Sequence, residues 1–159
     1  MNEQDYLLGI DVGSTTVKVA IMDQVGEILY SEYRRHFARI QETLAEVLRR
    51  ASEKLGSIPV LPAITGSGGM ALAQAMKIPF VQEVIAVSES LDRRYPQTDV
   101  AIELGGEDAK ILYLTGGRDQ RMNGICAGGT GSFIDQMAAL LGTDAEGLNE
   151  YARNYKRIY

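Results

Sequence analysis

Cysteine occurs once in these 159 residues, histidine occurs once, and no apolar run approaches the roughly 18 residues of a membrane-crossing helix. A single thiol excludes an intramolecular disulfide framework, and an unpaired one suits a reducing compartment. The start, "MNEQDYLLGID", has neither the basic residues nor the apolar core of a signal peptide. A cytoplasmic protein with no membrane partner is expected. Basic charge is also in short supply: 16 Lys and Arg against 21 Asp and Glu leave a net charge of −5. Binding along a nucleic acid backbone needs clustered Lys and Arg, so no nucleic acid partner is expected. "YRRH" and "LDRR" are isolated basic spots and read as solvated surface.

What is present fits a folded domain: 45% of residues are hydrophobic and 23% charged. The length fits one domain over 1–159. Residues 6–13, 15–23 and 25–35 alternate or run apolar between glycine breaks, which predicts an antiparallel meander. Over 39–56 the period changes, with Ile40, Leu44, Val47, Leu48, Ala51 and Leu55 at helical spacing. Further strands are expected over 59–65, 98–104 and 109–117, with 118–124 pairing alongside the last. Helices are expected over 70–76, 82–95, 132–142 and 144–155. This order, βββ-α-β-α-α-β-β-α-α, is that of an α/β fold with a mixed sheet covered by helices.

One pattern occurs twice. "GIDVGSTTVKVAIMD" and "AIELGGEDAKILYL" both run from an apolar strand to an acid, a glycine turn, a lysine and a second apolar strand. In the first hook Asp11 ends the strand and Gly13 permits the turn. Ser14, Thr15 and Thr16 offer hydroxyls and amides, and Lys18 can reach over the turn. The second has Glu103, Gly105, Gly106, Glu107, Asp108 and Lys110. Turn amides form an anion-binding concavity. An adjacent acid can hold Mg²⁺, largely through its waters. Together these are the means of phosphoryl transfer. Either hook alone could equally be a plain hairpin turn. Glu107 and Asp108 could hold a catalytic water or be solvated turn residues, and both lysines could touch phosphate or simply face water. Neither hook fits the P-loop pattern, and "GSGGMA" lacks the dinucleotide spacing.

The lone thiol, Cys126, sits in "NGICAGGTGSF". A nucleophile would need a base, and the one histidine, His36, is far away in sequence. A buried small hydrophobe is the usual fate of a free cysteine. The flanking glycines expose backbone rather than fill a core, and a following helix favours a thiolate. Metal ligand, packing residue and nucleophile all remain open on these residues alone. Met70, Met76, Met122 and Met137 read as core fillers, and Tyr151, Tyr155 and Tyr159 as packing.

Taken together, "LLGIDVGSTTVK", "AITGSGG", "IELGGEDAK" and "CAGGTGSFIDQMA" resemble, in order, the motifs of the BadF/BadG/BcrA/BcrD ATPases. These activate 2-hydroxyacyl-CoA dehydratases and benzoyl-CoA reductases. The resemblance implies a ribonuclease-H-like subdomain of the actin, Hsp70 and sugar kinase superfamily, with a five-stranded mixed sheet flanked by helices on both faces. It implies ATP and Mg²⁺ as cofactors, with Asp11 at the metal. Gly13, Ser14, Thr15, Thr16, Lys18, Gly105, Gly106, Lys110, Gly128 and Gly129 would lie at the phosphates. Glu103, Glu107 and Asp108 would lie near the attacking water. Cys126 would be one ligand of a [4Fe–4S] cluster bridging a homodimer that passes electrons to an acyl-CoA dehydratase or reductase. The family's second subdomain, adenosine motif and second cluster cysteine would lie beyond residue 159, leaving 1–159 as an inactive N-terminal subdomain. Glu103 stands where the family pattern has aspartate, which puts its direct metal role in doubt. The alternatives are a small-molecule kinase of the same superfamily and an ATP-binding scaffold that does not hydrolyse.

Overall fold

The computed structural model describes residues 5–116, 119–123 and 128–158. Cys126 and Tyr159 therefore lie outside the described residues. The chain divides into two compact units, Met1–Thr98 and Asp99–Tyr159.

The first unit opens with the expected meander: β1 (Tyr6–Val12), β2 (Thr16–Met22) and β3 (Ile28–Arg35). Helix α1 (Ile40–Leu55) then carries the chain back, so β4 (Val60–Thr65) lies parallel to β1. The sheet order is β3-β2-β1-β4. Alternation decides which face is buried. Leu8, Ile10 and Val12 of β1 and Val17, Val19 and Ile21 of β2 point one way, into a core with Leu44, Val47 and Ala51 of α1. Ala73 of α2 (Gly69–Met76) joins the same core. The opposite face shows Gly9, Asp11, Lys18 and Ala20, and with Ala86 of α3 (Glu83–Arg94) these line a cavity of about 680 Å³.

The five-stranded sheet expected from the sequence has four strands here. Where a fifth would lie, a single parallel bridge joins Ile64 to Phe80. Ile64 donates to Pro79 O at 2.9 Å and Val81 donates to Ile64 O at 2.8 Å. Pro79 has no N–H to extend the ladder, and the chain enters α3 directly afterwards.

β3 and α1 are joined by an ionic cluster, in which Arg50 of α1 lies 3.5 Å from Glu32 and Glu46 of α1 lies 3.6 Å from Arg34. Tyr30 donates to the Glu32 carboxylate, which also receives Arg34 Nε at 2.7 Å. Burial, then the bond to Glu32, raises the Tyr30 hydroxyl from 10.0 to about 12. The folded state holds this proton more tightly than the unfolded chain, so the contribution to stability is complete below pH 10 and disappears as pH rises towards about 12. Urea midpoints measured across that range should fall more steeply for the wild type than for Tyr30→Phe.

The second unit holds β5 (Val100–Leu104), β6 (Ala109–Tyr113) and β7 (Asp119–Met122), an antiparallel sheet in that order. Helices α4 (Gly131–Leu140) and α5 (Ala145–Arg153) follow. Leu112 and Ala138 are buried.

Candidate functional site

The two hooks share one construction. In the first, Asp11 on β1 stands opposite Lys18 on β2, and Lys18 Nζ lies 2.7 Å from Asp11 Oδ2. Gly13 N–H closes the turn on Thr16 O at 2.9 Å. In the second, Glu103 on β5 stands opposite Lys110 on β6, and Lys110 Nζ lies 3.5 Å from Glu103 Oε1. Gly105 N–H closes that turn on Asp108 O at 2.8 Å. Acid, glycine two residues on, closure three residues later and a cross-strand lysine thus repeat residue for residue. The antiparallel register makes the acid and lysine opposite neighbours, which is why the sequence spacing recurs.

The first hook leaves donors free. Ser14 is exposed and makes no hydrogen bond among the described residues. Lys18 also sits 5.8 Å from the centre of the Tyr33 ring. The parallel pairing of β1 and β4 brings their C-terminal ends together, with Thr65 beside Asp11. Ligands commonly bind beyond such ends. The turn that follows Thr65 presses on the hook. Gly68 N–H donates to Val12 O at 2.8 Å, and Gly66 has φ +99 with no room for a side chain. Ser67 N–H is held by Glu83 at 2.9 Å. Asp11, Lys18 and Thr65 lie at one end of the 680 Å³ cavity, whose floor is made of Gly9, Ala20 and Ala63.

His36 also belongs to this hook. It is buried, one residue past β3, and it bonds the hook at both Gly13 and Thr15. The chain after it turns through two left-handed residues, Phe37 at φ 46 and Ala38 at φ 62. For non-glycine residues this costs about 1–2 kcal/mol each.

In the second hook the start of α4 covers the turn. Gly131 N–H donates to Gly105 O at 3.0 Å and Ser132 N–H to Gly106 O at 2.7 Å. Gly131 is also close-packed, since a Cβ there would lie 3.3 Å from Gly106 Cα. Gly128 and Gly129 form the exposed turn ahead of α4, with Gly129 at φ +87. Glu107 is exposed and Asp108 half-buried.

Oxygen donors suited to a hard cation are present in each hook. Thr65 Oγ1 and Glu103 Oε2 are buried without a hydrogen-bond partner among the described residues, and the Asp11 carboxylate is part-exposed. No group of three or more His, Cys, Asp or Glu is placed to hold a metal among the described residues. In the first hook the Asp11 carboxylate fits Mg²⁺, which keeps its waters and takes one or two carboxylates plus phosphate oxygens. A [4Fe–4S] cluster needs four sulfurs in the common case, and this chain has one cysteine.

Sequence reasoning identified both hooks but gave no site role to His36, Thr65, Gly66 or Gly68. The available signal was the position of "TGSGG" at the end of the strand expected over 59–65.

A family model described as the BadF/BadG/BcrA/BcrD ATPase family matches residues 8–156. The chain belongs to this family. The 2-hydroxyisocaproyl-CoA dehydratase activator of Clostridioides difficile is 31% identical over 158 residues, covering 94% of this chain and 57% of the relative. Among solved structures, the activator of the 2-hydroxyisocaproyl-CoA dehydratase from Clostridium difficile with bound ADPNP superimposes with a TM-score of 0.79 at 26% identity. It covers 97% of this chain and 59% of its own. Component A of the Acidaminococcus fermentans (R)-2-hydroxyglutaryl-CoA dehydratase gives 0.77 at 26% identity, covering 98% and 61%. The chain has the actin-like, ribonuclease-H-like fold of these ATPases and spans about three-fifths of their length. No helix among the described residues is long and apolar enough to cross a membrane.

Proposed function

We propose that this chain is the nucleotide-phosphate-binding part of an ATPase activator. Its whole protein couples ATP hydrolysis to low-potential electron transfer towards a 2-hydroxyacyl-CoA dehydratase or a related reductase. The observation that carries this reading is the twofold occurrence of one acid-glycine-lysine hook with the same turn closure. A similar structure with bound ADPNP supports the choice of nucleotide.

In this reading Gly13, Ser14, Thr15, Thr16 and Lys18 hold phosphate oxygens through amides, hydroxyls and one ammonium. In the hook of the second unit Gly105, Gly106, Lys110, Gly128 and Gly129 are the phosphate-binding residues, through amides and an ammonium. Asp11 holds Mg²⁺, which when bound supplies positive charge to the phosphate oxygens. Glu103, Glu107 and Asp108 orient the water. Its oxygen bonds to the γ-phosphorus, the bond from that phosphorus to the β–γ bridging oxygen breaks, and ADP and phosphate leave. Catalysis of this kind is positioning and charge stabilisation. Cys126 contributes one thiolate to a [4Fe–4S] cluster shared with a second copy, and the hydrolytic steps do not run through it. The partner is the dehydratase or reductase that receives the electron.

Calorimetric titration of the full-length protein with ADPNP and Mg²⁺ tests the reading. Saturable binding that weakens when Mg²⁺ is chelated is expected. A folded full-length protein that gives no heat with millimolar ADPNP would refute it.

A further inference from the structure

We propose that His36 is a positioning residue for the first hook, turning the Ser14 amide towards the bound phosphate. This rests on the reading of residues 11–18 as a phosphate hook. The imidazole is buried at 5% exposure, so its bonding is decided by the protein. Ala38 N–H lies 3.1 Å from Nδ1, and an amide only donates, so Nδ1 is the acceptor. The ring proton of the neutral form is then on Nε2, which donates to Gly13 O at 3.1 Å. The main-chain N–H of His36 donates to Thr15 O, also at 3.1 Å. One residue thus holds two carbonyls of the hook.

The consequence follows from peptide geometry. In a trans peptide the C=O of one residue and the N–H of the next point in opposite directions. With Gly13 O drawn to His36, the Ser14 N–H is turned the other way. Ser14 is exposed and makes no hydrogen bond among the described residues. If the 13–14 peptide rotated over, a carbonyl oxygen would face the phosphate in place of a donor.

The turn after His36 serves this contact rather than packing. The left-handed pair Phe37–Ala38 curls the chain so that Ala38 N–H reaches Nδ1, and Arg39 N–H returns to His36 O at 2.7 Å. The turn does not serve to bury Phe37, which is 72% exposed. Strained backbone of this sort persists where its surroundings over-determine it.

The test compares ADP with adenosine as titrants of the full-length wild type, His36→Asn and His36→Gln. The glutamine amide reaches the place of Nε2 and can donate to Gly13 O. The asparagine amide reaches only the place of Nδ1. His36→Asn should weaken ADP binding about tenfold, the size of one lost bond near a charge, and leave adenosine binding unchanged. His36→Gln should stay within about threefold of wild type for ADP. Equal losses for ADP and adenosine, unchanged ADP affinity in His36→Asn, or no recovery in His36→Gln would each overturn the proposal. If the wild type binds ADP no better than adenosine, the phosphate reading of the hook is itself overturned. A second readout needs no variant protein to bind ligand: ¹⁵N shifts of the His36 ring in the wild type should report the Nε2–H tautomer, and an Nδ1–H tautomer sinks the idea.

Discussion

Gly66→Ala is expected to lower stability by more than about 3 kcal/mol and to abolish nucleotide binding by the full-length protein. The methyl group would stand 2.2 Å from Val12 O, 2.5 Å from Val12 C and 2.6 Å from Asp11 Oδ1. The Asp11 carboxylate can swing aside, but the two Val12 backbone atoms cannot yield cheaply. Val12 is fully buried, and its carbonyl is held by Gly68 N–H. The backbone at φ +99 adds its own penalty. Gly26→Ala separates the two contributions, because Gly26 has φ +94 and nothing within 4 Å of an added Cβ. That control should cost only about 1 kcal/mol. Urea denaturation of both variants measures the difference. Equal destabilisation would mean that the close approach of Gly66 to the hook has no energetic weight.

In the full-length protein, Asp11→Asn is expected to reduce phosphate release from saturating Mg·ATP on the order of 10²–10³-fold while leaving the protein folded. The pairing with Lys18 is half-exposed, at 47% and 30% of the two side chains, so its loss costs at most about 1 kcal/mol. The effect is instead on reactivity. The amide removes the charge that would hold Mg²⁺ beside the hook and releases Lys18 from its partner. A rate within threefold of wild type, read by coupled phosphate detection (roughly 0.6 kcal/mol on the barrier), would remove Asp11 from the reaction.

The hooks were legible because their chemistry is local. An acid and a lysine seven positions apart, with a glycine turn between two apolar strands, face each other across a tight antiparallel turn, and both pairs do so. Helix α1 was legible from its apolar period, whose Leu44, Val47 and Ala51 are the buried positions. Contacts made over long sequence separations were not. Gly66 lies against Val12 only because β4 runs parallel to β1, and nothing in either segment announces the other. His36 reads as one more residue at a strand end, because neither Phe37 nor Ala38 is a type that signals a left-handed turn. The single bridge at Phe80 arises from the brevity of the segment between Lys77 and α3. The break between Thr98 and Asp99 falls in the polar, proline-containing stretch 95–99, which is too short to stand out as a linker. The assignment of Cys126 rests on sequence, since that residue lies outside the described ones.

The dependence of the first hook on Gly66 and Gly68 has a consequence for the order of synthesis. The meander of β1, β2 and β3 is synthesised first, and it carries every residue from Asp11 to Lys18. The side of the hook that rests on Val12 is closed only after α1, β4 and the glycine turn have been made. A nascent or prematurely terminated chain ending before Thr65 would therefore display the signature without the glycine turn that rests on it.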